Sequence, residues 1–197
     1  MNDLEEAKNF FYNKNYKAAK NIFLKLNMFY EIGLCSFLLN DINDAEKFWK
    51  KSCDKNSASN WGLIVLDLIK NRTPAIKPKY FQIRAYYEIF ISLLIENKLF
   101  NYAQALIDSF QYLTMYNLEV PKFIARVLHS YMYDDSALNF IDISLKEDYI
   151  DIEALYIGAQ IYFERNNYSK AAEYLNLILK NAPTYYPALQ LKEKIKI

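Results

Sequence analysis

The chain has 197 residues, of which 53% are hydrophobic, and this is enough for a substantial core in one domain or in two small ones. It contains only three Gly and five Pro. The turns of a sheet protein normally use more Gly, so the composition favours helices joined by short polar turns. The formal net charge of +1 gives no global field that attracts a polyanion, and we therefore expect no nucleic-acid partner.

The N-terminal residues do not resemble a secretory signal. Met1 is followed by NDLEEAKNFF, which places acidic side chains where a signal peptide has a basic segment and then an apolar one. The most apolar window, 86–95, contains Glu88 and is shorter than the roughly 18–20 apolar residues that a membrane-spanning helix needs. We expect a cytoplasmic protein that does not insert into a membrane.

The two Cys and the single His indicate neither a disulfide framework nor a metal site. Cys35 and Cys53 fall on adjacent predicted helices, and His129 lies far from both in the sequence. A structural metal site needs more Cys or His ligands than this. We interpret both Cys as core side chains in a reducing compartment, and we expect no metal and no cofactor.

Taken in chain order, apolar residues recur with the helical period in segments separated by Asn-rich or acidic turns. No window alternates with period two for long enough to predict a strand. We predict about twelve helices, at residues 2–13, 16–26, 28–40, 43–55, 57–71, 79–97, 101–117, 121–132, 135–147, 151–165, 168–181 and 184–196. The one sizeable linker is 71–79, where Pro74 and Pro78 exclude a regular helix. We therefore predict helical hairpins and an odd helix at 1–70, the linker at 71–79, and further hairpins at 80–197 in one continuous array.

Small residues recur at a spacing of 34 residues in the C-terminal half. Ala125 precedes Ala159 by this distance, and Ala137 precedes Ala171 by the same distance. Small side chains at such positions let two antiparallel helices approach closely, and Pro183 stops the second helix of the last copy. The pattern resembles the tetratricopeptide repeat, a helix–turn–helix unit of about 34 residues.

The resemblance is closest over 152–185 and weakens toward the N-terminus. Gly158 departs from the family pattern, and because Gly inside a helix costs stability, we expect a neighbour packed tightly against it. At 100–110 both Ala103 and Ala105 fit the small position of a second helix, so the register there stays open. Earlier pairs of small residues are Ala7 with Ala19 and Gly33 with Ala45. The resemblance implies an all-α, right-handed α-solenoid of antiparallel helix pairs, and a helix at 186–196 would cap its last repeat.

The chain offers little for catalysis. It has one His, two separated Cys and no Gly-rich phosphate loop or HExxH motif, so we predict that it is not an enzyme. The acidic residues Asp134, Asp135, Asp148 and Asp151 are predicted to cap helix starts, the alternative being a metal or acid/base role. The many Tyr and Phe are expected to fill gaps between stacked helix pairs, the alternative being stacking platforms for single-stranded nucleic acid.

Tetratricopeptide proteins bind peptides in a groove lined by their first helices, and the resemblance implies which residues would line it here. Lys122, Arg126 and His129 are spaced i, i+4 and i+7, so they share one helix face and would form a cationic stripe. The next first helix would add Tyr156, Gln160, Phe163 and Glu164. Such a groove could hold a carboxylate and an apolar side chain of an extended peptide, the alternative being a solvated polar face.

The corresponding positions in the N-terminal half are weaker candidates for a binding site. They hold Tyr30, Leu34 and Phe37, which would form an apolar groove for an amphipathic helix or be filled by the chain itself.

The sequence therefore predicts a non-catalytic scaffold, monomeric or weakly homo-oligomeric, that binds a peptide or helix of a partner protein. The alternative is a structural subunit that self-associates or packs within a larger assembly. The step from fold to function rests on family analogy.

Overall fold

The computed structural model describes residues 2–146 and 150–195. Within these ranges the chain forms thirteen α-helices and no strand, and neighbouring helices pack against each other, which confirms the all-α prediction. Asp148, which was predicted to cap a helix, lies outside the described residues. The helices are α1 (Asp3–Tyr12), α2 (Tyr16–Lys25), α3 (Phe29–Leu38), α4 (Ile42–Ser52), α5 (Ser57–Ile69), α6 (Tyr80–Glu96), α7 (Phe100–Asp108), α8 (Phe110–Thr114), α9 (Val120–Ser130), α10 (Asp134–Ser144), α11 (Ile152–Glu164), α12 (Tyr168–Asn181) and α13 (Tyr186–Lys194).

The chain divides into two compact units, Met1–Tyr116 and Asn117–Ile197. The proline-containing linker at 71–79 lies inside the first unit and does not separate the two. Pro74 and Pro78 are buried, and the backbone N–H of Ala75 donates to Asp67 Oδ2 at 3.0 Å. The segment is held in place because α5 before it and α6 after it pack against each other and both contact α7.

The hairpin turns repeat at intervals of 34 residues. The turns between α6 and α7, α9 and α10, and α11 and α12 each contain one residue with a left-handed backbone. These residues are Lys98, Met132 and Asn166, with φ angles of 59°, 62° and 58°. A left-handed residue after the last helical turn lets the backbone N–H groups bond back to helix carbonyls and reverses the chain. The turn geometry therefore follows the period that the Ala spacing predicts.

The structure settles the register that the sequence left open at Ala103 and Ala105. Ala103 is buried at the fourth residue of α7, and Ala105 is half-buried. Ala137 and Ala171 are the fourth residues of α10 and α12, and both are fully buried. The small position is thus Ala103, at 34-residue intervals from the other two. The predicted helix at 101–117 is in fact two helices, α7 and α8, interrupted at Ser109.

The helical Gly residues provide room for aromatic rings. A Cβ added to Gly33 on α3 would lie 2.5 Å from the indole of Trp49, and one added to Gly62 on α5 would approach the same ring equally closely. In the second unit, a Cβ on Gly158 would lie 2.6 Å from Cε1 of Tyr174. The expectation of a close neighbour at Gly158 is confirmed.

The core of the first unit is aromatic. Trp49 and Phe37 have ring centroids 5.6 Å apart, and Phe90 on α6 lies 6.2–6.4 Å from Phe37, Trp49 and Trp61. Cys35 is fully buried there, as predicted, whereas Cys53 is only half-buried at the end of α4, so the prediction that both are core side chains is wrong for Cys53. The difference arises because α4 ends at Ser52 and Cys53 lies in the turn that follows.

In the second unit, α13 packs against α11 and α12. Ala188, Leu191 and Ile195 close over Leu175 and Ile178 of α12, which buries the apolar side of the last hairpin. The helix predicted at 184–196 therefore exists and covers α11 and α12.

Candidate functional site

The predicted groove residues lie on α9 and α11 of the second unit, and α9 and α13 both contact α11. Lys122, Arg126 and His129 are on α9, and Tyr156, Gln160, Phe163 and Glu164 are on α11. The polar side chains of α9 reach across to carboxylates of neighbouring elements, whereas part of α11 faces α13. The structure thus divides the predicted site into a charged part and a concave part.

The Lys122 ammonium lies within a cluster of three carboxylates. Its Nζ is 3.0 Å from Glu119 Oε1, 3.1 Å from Asp151 Oδ2 and 3.0 Å from Glu153 Oε2, and the side chain is only 4% exposed. Burial alone would lower the pKa of Lys122, but the surrounding carboxylates outweigh it and raise the pKa above its ordinary value. Asp151 is at the same time the N-cap of α11, as predicted, and accepts from the backbone N–H groups of Glu153 and Ala154 at 3.0 Å each.

Arg126 and His129 are paired with acidic side chains in the same way. Arg126 Nη2 lies 3.1 Å from Glu153 Oε2. His129 Nδ1 lies 2.9 Å from Asp134 Oδ1, and its Nε2 is 3.9 Å from Glu164 Oε1. The three basic residues therefore join α9 to α10 and α11, and the structure does not present them as the unopposed cationic stripe that the sequence predicts.

Asp134 and Asp135 differ from their predicted role as helix caps. They occupy the first turn of α10, whose N-cap is Tyr133 without a side-chain capping bond. Arg165, which follows α11, lies 2.6 Å from Asp135 Oδ1 and 3.5 Å from Asp134 Oδ2. These carboxylates are engaged by side chains of neighbouring elements, because Tyr133 rather than Asp134 takes the cap position.

A cavity of about 190 Å³ lies between α11 and α13. It brings together four of the predicted groove residues with three residues of the capping helix: Tyr156, Gln160, Phe163, Glu164, Gln190, Leu191 and Lys194. Pockets for drug-sized ligands have volumes of about 300–1,000 Å³, so this cavity suits one side chain of a larger partner better than a whole small molecule.

The cavity lining combines apolar and polar groups. Phe163 and Leu191 supply apolar surface, Gln160 and Gln190 supply amides that both donate and accept, and Glu164 and Lys194 carry opposite charges. The rings of the α11 residues are held by aromatic neighbours, since Phe163 lies 5.7 Å from Tyr168 and Tyr156 lies 5.7 Å from Tyr185 between ring centroids. Burial raises the pKa of Tyr156, so its hydroxyl stays protonated and able to donate at neutral pH.

The sequence did not identify Gln190, Leu191 and Lys194. It predicted a capping helix but not which of its residues face α11. The available signal was the i, i+4 spacing of Gln190 and Lys194 beside an apolar residue, which places polar groups on one helix face.

The weaker candidates in the first unit do not form an open groove. Phe37 is 1% exposed and packs on Trp49, Phe90 and Tyr102, and Leu34 is also buried. The carbonyl of Tyr30 accepts from Trp49 Nε1 at 3.1 Å, and its side chain is only half-buried. Helices of the first unit thus occupy the space at Phe37 and Leu34, the second of the two arrangements that the sequence allowed.

No helix in the described part of the chain is both long enough and apolar enough to cross a bilayer. Among the same residues, no group of three or more His, Cys, Asp and Glu is placed to hold a metal ion. Comparison of the chain with protein-family models, with curated proteins and with solved structures gave no match.

Proposed function

We propose that the chain is a divergent tetratricopeptide-repeat protein, a right-handed solenoid that acts as a non-catalytic scaffold, and that its second unit binds a short segment of a partner protein. The cavity between α11 and α13 carries the binding part of this proposal, because it gathers apolar, amide and charged groups on two helix faces. The 34-residue interval between the left-handed residues Lys98, Met132 and Asn166 supports the family assignment.

In the proposed complex, an apolar side chain of the partner enters between Phe163 and Leu191. The amides of Gln160 and Gln190 bond to the partner's backbone, because each can donate to a carbonyl and accept from an N–H. Glu119, Asp151 and Glu153 outnumber Lys122 and Arg126, so the neighbouring surface carries one excess negative charge. We therefore propose a partner segment that carries a cation beside its apolar anchor, where the sequence alone suggested a carboxylate.

The test is a selection of displayed random peptides on the full chain, followed by affinity measurement on variants. Gln160→Trp fills the cavity, and Glu173→Trp places the same ring on the exposed side of α12 as a matched control. We expect the selected peptides to bind Gln160→Trp about tenfold or more weakly and Glu173→Trp with unchanged affinity. Equal binding to both variants, or no peptide enriched on the wild type, would contradict the proposal.

A second candidate function, packing within an assembly, is favoured by exposed apolar residues beside the hairpin turns of the first unit. The turns lie close together: Tyr16 Oη donates to Asn97 Oδ1 at 2.6 Å, and Tyr102 Oη donates to Asn40 Oδ1 at 2.8 Å. Three exposed side chains belong to the residues in or beside these turns, Tyr12, Leu39 and Phe100. Exposed apolar clusters of this kind mark protein contacts.

Light scattering of the full chain over a wide concentration range tests this candidate. Self-association that disappears in Phe100→Ser and persists in Tyr186→Ser, a matched change at an exposed aromatic of the second unit, would support it. A concentration-independent monomer would leave no support for self-association.

A further inference from the structure

One surface of the first unit is far more basic than the chain as a whole. Residues 13–30, which contain α2, include four Lys and no Asp or Glu. Of these, Lys17 and Lys25 are exposed on α2, and Lys20 is half-buried. Lys47 and Lys51 are exposed on α4. We call these five residues together the α2/α4 lysine face.

The two helices are joined at this face by one ion pair. Lys20 Nζ lies 2.5 Å from Asp44 Oδ2, which also accepts from Ser36 Oγ at 3.0 Å. Lys47 and Lys51 follow Asp44 by three and seven residues, so they continue along the same side of α4. The lysine face is therefore continuous across the junction of α2 and α4.

The only acidic group placed among these five Lys is already neutralised. Asp44 is engaged by Lys20, and hydrogen bonds from Lys20 and Ser36 lower its pKa against the opposing effect of burial. The recorded neighbours of the other ammonium groups on α4 are rings: Lys47 Nζ lies 5.4 Å and Lys51 Nζ 5.2 Å from the ring centroid of Phe48. Lys51 Nζ is also 5.5 Å from the centroid of Phe29. Cation–π contacts orient an ammonium but leave its full charge in place, so five Lys and one Asp give this surface four net positive charges.

Its aromatic residues decide which anion fits. Phe29 and Phe48 stack with centroids 6.3 Å apart, but Lys47 and Lys51 cover Phe48, which is only 7% exposed. Nucleic-acid bases need open ring faces for stacking, and a membrane surface needs apolar side chains that can enter it. Neither is offered at Phe48. Leu24, 41% exposed on α2, adds a small apolar contact beside the ammonium groups.

From this arrangement we propose that the α2/α4 lysine face is a second binding site, for an acidic protein segment in which carboxylates alternate with apolar side chains. Its carboxylates pair with the ammonium groups of α2 and α4, and an apolar side chain contacts Leu24. The site is independent of the cavity between α11 and α13 and uses the opposite charge. The protein would then hold two different partner segments, one on each unit.

The probe is a fluorescent synthetic peptide of alternating Glu and Leu, titrated onto the full chain at low and at physiological salt. The reversal Lys47→Glu/Lys51→Glu removes two exposed charges, and Lys47→Gln/Lys51→Gln removes the same charges without adding acids. The matched control is Lys170→Glu/Lys180→Glu in the second unit, which changes the net charge equally and also removes a cation–π contact, since Lys170 Nζ lies 5.0 Å from the ring of Tyr162. Circular dichroism verifies the fold of each variant.

We expect the Lys47→Glu/Lys51→Glu variant to bind the peptide about tenfold or more weakly, the Gln variant to show an intermediate loss, and the control to stay within about twofold of the wild type. Binding should weaken as salt rises, because the contacts are solvent-exposed charges. Equal losses in the control would show that net charge alone attracts the peptide and would overturn the proposal. Tighter binding of oligo-dT, or of vesicles containing phosphatidylserine, at the same salt would overturn it in favour of a nucleic acid or a membrane.

Discussion

Gly158 shows how a single missing Cβ can determine a helix contact. The ring of Tyr174 lies where that Cβ would be, 2.6 Å from Cε1. In an open site, Gly→Ala inside a helix is favourable by about 1 kcal/mol. Here the added methyl must displace the ring, so the sign reverses.

We predict that Gly158→Ala lowers the free energy of unfolding by about 1–3 kcal/mol, the usual cost of overpacking. Urea unfolding measures the change. In the Tyr174→Leu background the clash is removed, so the same substitution should be neutral or stabilising. A loss of equal size in both backgrounds would show that Tyr174 is not the obstacle.

Lys122 is a second residue whose role is set by its neighbours. We predict that Lys122→Met leaves its three carboxylates without their shared cation and costs about 3 kcal/mol, the lower end for a broken buried pair because Glu119 and Glu153 stay partly solvated. Arg126→Met, at a half-exposed pair, should cost less than about 1 kcal/mol. Equal effects of the two substitutions would contradict the buried arrangement.

The same cluster predicts a pH dependence. Hydrogen bonding from Lys122 lowers the pKa of Glu153 in the folded chain, so the stability this carboxylate contributes is present above the ordinary Glu pKa of about 4.3 and is lost as the pH falls through the folded value. Lys122, whose pKa is raised, keeps its contribution below the ordinary Lys pKa of about 10.4 and loses it only at higher pH. The difference in unfolding free energy between wild type and Lys122→Met should therefore be constant near neutrality and shrink below about pH 4. Unfolding curves across this range would show the trend, and a difference that grows on acidification would be inconsistent with it.

At the scale of elements, the hairpins depend on a left-handed residue after each first helix. Asn40 and Asn166 tolerate this backbone, but Met132, with φ of 62° and a side chain that is 90% exposed, has no compensating contact in the side-chain burial. A residue other than Gly or Asn in this conformation costs about 1–2 kcal/mol.

We predict that Met132→Gly raises the free energy of unfolding by about 0.5–1 kcal/mol, because the relieved strain exceeds the greater freedom of Gly in the unfolded chain. Asn166→Gly, at the equivalent turn 34 residues later, is the control and should be close to neutral. Thermal unfolding compares the two. Destabilisation by Met132→Gly would mean that the turn gains from the Met side chain.

At the scale of the whole molecule, the structure and the sequence place the division of the chain differently. The fragment 117–197 contains one compact unit with its own buried cluster of α11, α12 and α13 residues. A fragment that begins at the linker, 80–197, keeps α6 but loses Trp61 and Phe37, against which Phe90 packs. We therefore predict that 117–197 is helical and unfolds cooperatively by circular dichroism, while 80–197 exposes Tyr87 and Phe90 and aggregates. Cooperative unfolding of 80–197 together with an unfolded 117–197 would place the boundary at the linker.

Much of the fold could be predicted from particular residues. The helical period and the Asn-rich turns located the helices to within a few residues, and the spacing of Ala137 and Ala171 identified the close contacts between paired helices. These predictions succeed because helix periodicity and the packing of small side chains are encoded within about one hairpin of sequence. The break at Ser109 was missed because the apolar pattern runs through it.

The candidate site was predictable only in part. The sequence placed Tyr156, Gln160, Phe163 and Glu164 on one helix face, and the structure shows that they line one cavity. It could not show that Lys122 is enclosed by Glu119, Asp151 and Glu153, because two of these partners belong to another helix or its cap, 29 and 31 residues further along the chain.

The sequence by itself determined an all-helical chain, a 34-residue interval in its C-terminal half and the small residues that let paired helices approach. These properties depend on neighbours along the chain, within one or two helices. Only the tertiary structure decided that Ala103 rather than Ala105 is the packing position, that α13 completes a cavity on α11, and that the cations of α9 are neutralised while those of α2 and α4 are not. Each of these depends on which side chains from distant segments share a space, and burial and charge pairing are set by that proximity rather than by residue type.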